Sequence, residues 1–387
     1  MRVIPYARQH IDEADIEAVV ETLRSDWLTQ GPAVERFERS VREYCGAAHA
    51  VATCNATAAL HLACRALDVG EGDVVWTSPI TFVASANCAL YCGARIDFVD
   101  VDETSGNLGT VALERKLELA ARESRLPKAI IVVHLAGLPC DMESVHDLAR
   151  RYGVRIVEDA SHAIGAEYRD AKVGACRYSD ITIFSFHPVK IVTTGEGGMA
   201  LTNDEHLYRK MRLLRSHGIS REQDDMERQP DGPWYYEQID LGYNYRMNDI
   251  QAALGRSQMR RLPQFLEARR ALASRYSDGL RHLPLVLPPP EENRRSAWHL
   301  YLVRIKASRT VKSRRAVYDA LVQAGIRANV HYIPVHMQPY FRRLGFAPGD
   351  FPVAERFYAG ALTLPLYYGL QESEQRYVIE TLTRVLG

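Results

Sequence analysis

At 387 residues the chain is long for one hydrophobic core, so two domains are expected. Its 47% apolar and 25% charged composition is that of an ordinary globular protein. The 48 basic and 48 acidic side chains cancel, which excludes a whole-molecule field that would draw nucleic acid or an anionic membrane surface. No apolar run approaches membrane-span length, the N-terminus MRVIPYARQHIDEADIE has no apolar signal core, and the seven cysteines form no CxxC pair. A cytoplasmic protein with reduced thiols is the expectation. The histidines offer no metal site: Pro334 separates the most suggestive pair, His331 and His336, so they cannot share a helix face.

Residues 11–23 place acids first and apolar residues at Ile16, Val19, Val20 and Leu23, the pattern of an amphipathic helix. A turn-rich loop follows, Ser25-Asp26-Trp27-Leu28-Thr29-Gln30-Gly31-Pro32, and then a second helix over 34–44. A short strand over 50–54 turns at Asn55 straight into a helix that runs to Ala66. The small residues at that helix start, Ala56 and Thr57, leave N–H groups free for an anion, and the helix dipole adds to the attraction. A plain N-cap by Asn55 or Thr57 accounts for the same residues. Strands over 74–77, 95–101 and 128–134 alternate with helices, and Phe82 sits at a strand-to-helix turn, where it can stack on a planar ligand or enter the core. The next strand, 154–159, ends in Glu158-Asp159, and ligands of open α/β sheets bind outside the carboxyl ends of their strands. Strand and helix alternating to about residue 200 predict a mostly parallel sheet covered on both faces.

Residues 181–199, ITIFSFHPVKIVTTGEGGM, are the centre of the chain. A buried-strand composition gives way to Ser185-Phe186-His187-Pro188, then to Lys190 and a glycine-rich turn. A lysine there is either a loop residue reaching water or a desolvated amine whose lowered pKa frees it as a nucleophile. Beyond it come a helix over 205–217 and a polar stretch, 220–237, with a Pro-Asp-Gly-Pro turn, read as an ordered excursion or a mobile loop. The segment 241–247, LGYNYRM, precedes a long helical stretch, 249–280, which Pro263 should kink or divide. Proline-rich residues 283–293 lead to a smaller unit read as strand 298–305, helix 314–324, strand 328–332 and helices 350–361 and 372–386. Residues 1–255 are assigned to a large ligand-binding domain and 256–387 to a linking helix with a small C-terminal α+β domain.

An aldehyde-bearing phosphorylated pyridine needs a lysine for an imine and a carboxylate to keep its ring nitrogen protonated. It also needs an anion nest, a flat partner and a polar neighbour for its ring hydroxyl. Lys190, Asp159, the Ala56-Thr57 helix start with Ser185, Phe82 and His162 meet these needs in turn. The motifs NATAAL (55–60), TSPITFVAS (77–85), EDASHAIGA (158–166), SFHPVKIVTTGEGG (185–198), RSHG (215–218), LGYNYRMNDIQAALG (241–255) and HYIPVH (331–336) resemble the DegT/StrS family of pyridoxal-phosphate-dependent nucleotide-sugar aminotransferases. The resemblance covers nearly the whole chain. Within that family, SDWLTQGP, SPITFVASANCALYCGA and FSFHPVKIVTTGEGG are most like the transaminases of pseudaminic acid biosynthesis.

The resemblance implies a fold-type-I, pyridoxal 5'-phosphate-dependent transferase that works as a homodimer with shared active sites. Lys190 and Asp159 would be catalytic, Lys190 as the Schiff-base lysine and Asp159 as partner of the pyridine nitrogen. Ala56, Thr57, Phe82, His162, Ser185 and Asn244 would complete the cofactor site, with Asn244 and Arg246 entering from the partner subunit. Many relatives have glutamine where His162 stands. Tyr6, Asp26, Trp27, Leu28, Thr29, Ala56, Ser185, Arg246, Asn329, Val330, His331 and Tyr332 would line the sugar site. The implied reaction moves an amino group from L-glutamate, released as 2-oxoglutarate, to C4 of a UDP-linked 4-keto-6-deoxy-N-acetylhexosamine with the L-altrose configuration. A glucose-configured 4-keto sugar is the alternative substrate, and a sugar dehydratase or a non-catalytic regulator the alternative roles. Related dehydratases carry His in place of the lysine, and this chain keeps Lys190.

Overall fold

The computed structural model describes residues 3–387. Its main sheet has seven strands: β1 (His49–Thr53), β2 (Val74–Thr77), β3 (Arg95–Phe98), β4 (Ala129–Val133), β5 (Arg155–Asp159), β6 (Ile181–Ser185) and β7 (Gly198–Thr202). Their spatial order is β1-β7-β6-β5-β4-β2-β3, and β7 alone runs antiparallel to its neighbours. The period-2 alternation of the strands sorts their side chains onto two covered faces. Val51, Val75, Ile131, Val157, Ile183 and Ala200 pack with α3 (Ala56–Ala66), α4 (Ala84–Tyr91) and α7 (Glu205–Arg215). Their chain neighbours Ala50, Ala52, Phe184 and Met199 pack instead with α2 (Pro32–Cys45) and α8 (Asp249–Arg260). Trp76, Ile130, Val132 and Ile156 meet α5 (Thr110–Arg122) and α6 (Met142–Tyr152) on that second face. The remaining helix of this part is α1 (Glu13–Leu23), closed by a capping box between Asp12 and Asp15.

The long helical stretch is divided where Pro263 predicts, into α8 and α9 (Leu262–Leu280), because proline is tolerated only in a helix's first turn. Along α9 the packing changes sides. Leu262, Phe265 and Leu266 join the large sheet's second face, whereas Leu272, Tyr276 and Leu280 join a separate C-terminal core. That core surrounds a three-stranded sheet, β8 (Leu285–Val286), β9 (Tyr301–Ile305) and β10 (Ala361–Leu364), with α10 (Arg314–Gln323) and α12 (Glu372–Leu386); α11 (Pro352–Gly360) precedes β10. Ile4 packs into it too, tied by a parallel bridge to Ile326.

Two expectations in this unit are corrected. The strand expected at 328–332 is an extended segment with a single bridge, Asn329 to Thr363, after which the chain turns inward. The sheet position goes to Ala361–Leu364, of which only Ala361 falls within the helix expected over 350–361. Within the 220–237 stretch, Ile219–Ser220 pairs with Glu237–Gln238, and a short 3-10 turn, Gln223–Asp225, lies between them. All seven cysteines are free thiols, and no helix of the described residues is long and apolar enough to cross a membrane.

Candidate active site

The carboxyl ends of β1, β2, β4, β5 and β6 and the start of α3 open onto one cavity of about 560 Å³. The topology makes this edge the ligand edge, because the parallel strands all end there. Of the residues singled out in the sequence, Lys190, Asp159, Ala56, Thr57, Phe82, His162, Ser185, Tyr6, Asn329, His331 and Tyr332 line it. Val330, Asn244, Arg246 and the 26–29 loop are not among its lining residues. Asp26, Trp27, Leu28 and Thr29 are exposed on the outside, Asn244 is exposed and bridged to Ser216, and Arg246 pairs with Thr53.

Lys190 sits in the loop after β6, pinned by hydrogen bonds that Thr193 and Thr194 donate to the Phe186 carbonyl. Half-buried, it keeps its open surface toward the cavity. Burial pulls its pKa down to about 8, opposed by the negative charge of Asp159. An appreciable fraction of the amine is thus neutral and nucleophilic near physiological pH, far more than for an ordinary lysine. Asp159 closes β5, and period 2 sends it to the α3/α4 face while its neighbour Glu158 points the other way. Oδ2 of Asp159 accepts from Ser85 Oγ at 2.6 Å; Oδ1 accepts from Ser161 N at 3.1 Å and Ser161 Oγ at 2.6 Å. Glu158 is engaged elsewhere: His134 Nδ1 accepts the Cys140 N–H at 3.1 Å, which leaves the ring proton on Nε2, directed at Glu158 2.7 Å away. Ser179 at 2.5 Å and Thr182 at 3.0 Å hold the other oxygen of Glu158.

The anion-binding end is set by close backbone approach. Asn55 caps α3 by accepting the Ala58 N–H at 2.8 Å, so the cap reading is correct. It uses one of the free donors at that terminus and leaves the Ala56 and Thr57 amides without intrahelical partners beside Ser185. Gly198, paired with Ser185 across the sheet, permits this: a Cβ on it would lie 2.4 Å from the Asn55 carbonyl carbon and 2.5 Å from the Ala56 nitrogen. The opposite wall is aromatic. His162 Nε2 and the Tyr332 hydroxyl share a hydrogen bond of 3.1 Å, and the His299 ring lies 4.5 Å from that of His162. Burial, with the nearby Lys190 and His331, holds His162 well below the usual histidine range; burial, with Asp159 and Tyr6, keeps the Tyr332 phenol protonated. Burial and Lys190 bring His331 down to about 4. Gly137, at φ +97°, lets three backbones meet under this wall, since a Cβ there would stand 2.7 Å from the His162 carbonyl oxygen.

Sequence reasoning missed several lining residues. Thr81, Ser161, His187, Glu196 and His299 face the cavity, and Ser85 stands behind Asp159. A hydroxyl pair spaced i, i+4 at a helix start, Thr81 and Ser85, was the available signal.

A lysine poised to form an imine, opposite an anchored carboxylate and beside a helix-start anion nest, fits an aldehyde-bearing pyridine phosphate on the geometry alone. The model of the DegT/DnrJ/EryC1/StrS aminotransferase family matches residues 9–383. The chain belongs to that family. Its members are pyridoxal-phosphate-dependent, and structurally similar chains have been solved in PLP and PMP forms. The chain is 38% identical over 386 residues to the spore coat polysaccharide biosynthesis protein SpsC of Bacillus subtilis, covering 99% of this chain and 97% of that one. It is 35% identical to the UDP-4-amino-4,6-dideoxy-N-acetyl-beta-L-altrosamine transaminase of Campylobacter jejuni, across 99% of this chain and 98% of that one. The solved PseC of Helicobacter pylori, an aminotransferase of pseudaminic acid biosynthesis, superposes with a TM-score of 0.90 at 31% identity, over 100% of this chain and 99% of its own. This aminotransferase therefore has the fold-type-I α/β architecture that the motifs implied, and acts on a sugar.

Proposed function

We propose that this aminotransferase carries the amino group of L-glutamate to C4 of a UDP-linked 4-keto-6-deoxy-N-acetylhexosamine of L-altrose configuration. The observation that carries the chemistry is the Lys190 amine, brought down to about 8 and facing Asp159 in one cavity. The full-length likeness to the Campylobacter and Helicobacter proteins supports the choice of sugar. Bound pyridoxal phosphate would supply the aldehyde that takes up the donor nitrogen and the ring that takes up electrons from Cα. Lys190 would hold it by an imine, with the Ala56 and Thr57 amides and Ser185 at the phosphate, Phe82 against the ring and Asp159 at the ring nitrogen. His162 would stand by the ring hydroxyl.

Within that frame the chain's own groups divide the work. The neutral Lys190 amine takes the Cα proton of L-glutamate; with the nitrogen kept by the bound cofactor, water would supply the keto oxygen and 2-oxoglutarate would leave. In the second half the same amine handles the proton at C4 of the sugar. Asp159, as a fixed anion, stabilises positive charge at the heteroaromatic nitrogen. Tyr332 and His162, both neutral, offer hydrogen bonds without adding charge.

Charge also supports a shared site. Among the described residues, the lining includes one lysine, two acids (Asp159 and Glu196) and no arginine, although the ligands carry phosphate and carboxylate groups. Arg246 of a second copy, as the family resemblance implies, would supply positive charge to such ligands. The test is product analysis with L-glutamate and the altrose- and glucose-configured 4-keto sugars side by side. Faster C4 amination of the altrose form is expected; preference for the glucose form would move the enzyme to the other branch, and no amino sugar from either would sink the reading.

A further inference from the structure

Asp159 is satisfied to an unusual degree for a group that must still meet a ligand. A carboxylate offers about four acceptor positions, two on each oxygen. Ser161 fills both on Oδ1, with its N–H at 3.1 Å and its hydroxyl at 2.6 Å. Ser85 Oγ, at 2.6 Å, fills one on Oδ2. One position is left, on Oδ2. Ser85 is fully buried and has a single proton, which it gives to Asp159. The Thr81 hydroxyl, 2.7 Å from Ser85 Oγ, must then be the donor in their pair. The result is a directed row, Thr81 to Ser85 to Asp159, in which each bond polarises the next.

We propose that Ser85, backed by Thr81, is a positioning residue: it leaves Asp159 one vacant acceptor and weakens it as a base, so that a shared proton stays on a heteroaromatic ring nitrogen. This rests on the cofactor reading above. Hydrogen bonds to the ionised form of an acid favour that form, and short ones to a charged oxygen are the strong ones. Without Ser85 the shared proton would lie closer to the carboxylate, and the ring would keep less of the positive charge that makes it an electron sink. Ser85 Oγ also lies 3.3 Å from the Phe82 carbonyl, so a purely structural role at the start of α4 is the competing explanation.

The experiment reads the proton directly. Holoenzyme is reconstituted with pyridoxal phosphate labelled with nitrogen-15 in the ring, and the ring-nitrogen chemical shift is recorded for wild type, Ser85→Ala, Ser85→Thr and Thr81→Val. The expected wild-type signal is at the protonated position. Ser85→Ala should move it part of the way to the unprotonated position, Thr81→Val should move it less in the same direction, and Ser85→Thr should restore it. A structural serine would change thermal stability and leave this signal in place. An unmoved shift in Ser85→Ala with cofactor bound overturns the relay alone. Should Ser85→Ala fail to retain cofactor, an unmoved shift in Thr81→Val overturns it. An unprotonated nitrogen in the wild type takes down the assignment of Asp159 together with the relay.

Discussion

At the scale of single residues, the site works by making one lysine uncomfortable. Lys190 titrates near 10.4 in an unfolded chain and at about 8 in the fold. Between these values the unfolded chain binds the extra proton, so stability rises with pH across that window, and the penalty is fully present below pH 8. Replacing the amine with an apolar group of similar length removes the penalty. Apo Lys190→Met should melt at a higher temperature than apo wild type at pH 7, while losing all turnover; an equal or lower melting point would contradict the desolvated lysine. Capture of pyridoxal phosphate by the apoprotein should accelerate with pH through a midpoint of about 8. Asp159 holds that midpoint up, so Asp159→Asn should lower it. The same substitution should slow transamination by about a thousandfold, ~4 kcal/mol at 1.36 kcal/mol per decade. Stopped-flow absorbance across pH and steady-state rates check the two parts. Glu158 does not substitute for Asp159, because it lies on the other face with His134. Burial raises its pKa, but bonds from His134, Ser179 and Thr182 outweigh burial and hold it below the usual carboxylate range. Its stabilising contribution is present above about pH 4.3 and lost as pH falls through the lower folded value. Glu158→Ala should cost about 1–3 kcal/mol at neutral pH, by leaving the buried His134 Nε2–H and the Ser179 and Thr182 hydroxyls without their acceptor. It should leave the ring-nitrogen signal unchanged, and loss of that signal would tie Glu158 to the site after all.

At the scale of elements, what could be read in the sequence follows from what carries the information. The strand ending at Asp159 and the strand before Lys190 were legible because full burial on both faces makes them continuous β-branched runs. The division at Pro263 was legible because it depends on one residue's missing N–H. The segment 328–332 reads as a strand because Val330 and Tyr332 have strand composition, yet past Asn329 it joins no ladder, and His331 and Tyr332 line the cavity instead. Ala361–Leu364 was missed because four residues after a helix give no period to detect, and the place it takes depends on β9, about sixty positions earlier in the chain. Ser85 has the same difficulty: its meaning depends on α4 meeting β5, a tertiary fact. The anion nest tests this level directly. Gly198 has an ordinary backbone conformation, so Gly198→Ala acts only through the approach of Asn55 and Ala56. The added methyl should push the start of α3 away, costing about 1–3 kcal/mol of stability as overpacking and weakening pyridoxal phosphate binding measurably. Unchanged affinity would mean that the Ala56 and Thr57 amides do not hold the phosphate.

At the scale of the whole molecule, the question is where the missing cation comes from. Among the described residues the lining of the cavity holds one lysine, the titrating Lys190, with no arginine and two carboxylates. The motif LGYNYRM lies outside that cavity, with Asn244 exposed and Arg246 paired by its backbone to Thr53. Arg246 is half-buried. Trp27, Leu28 and Leu241, each about half exposed or more, stand on segments tied to the same region through the Thr29–Asn248 bridge and the chain itself. An arginine beside exposed apolar side chains suits a face that a second copy covers, with the guanidinium reaching a phosphate of the ligand bound beside that copy's lysine. If so, Lys190→Ala and Arg246→Ala chains should each be inactive alone and active when coexpressed. In a mixed dimer one site carries both substitutions and the other carries neither, because each site draws its lysine from one chain and its arginine from the other. The measurement is C4 amination by purified mixed dimers, isolated with two different affinity tags. Recovery of activity places Arg246 across the interface. Mixed dimers no more active than either parent would put Arg246 in its own chain's site or in none, and the positive charge would then have to come from another residue.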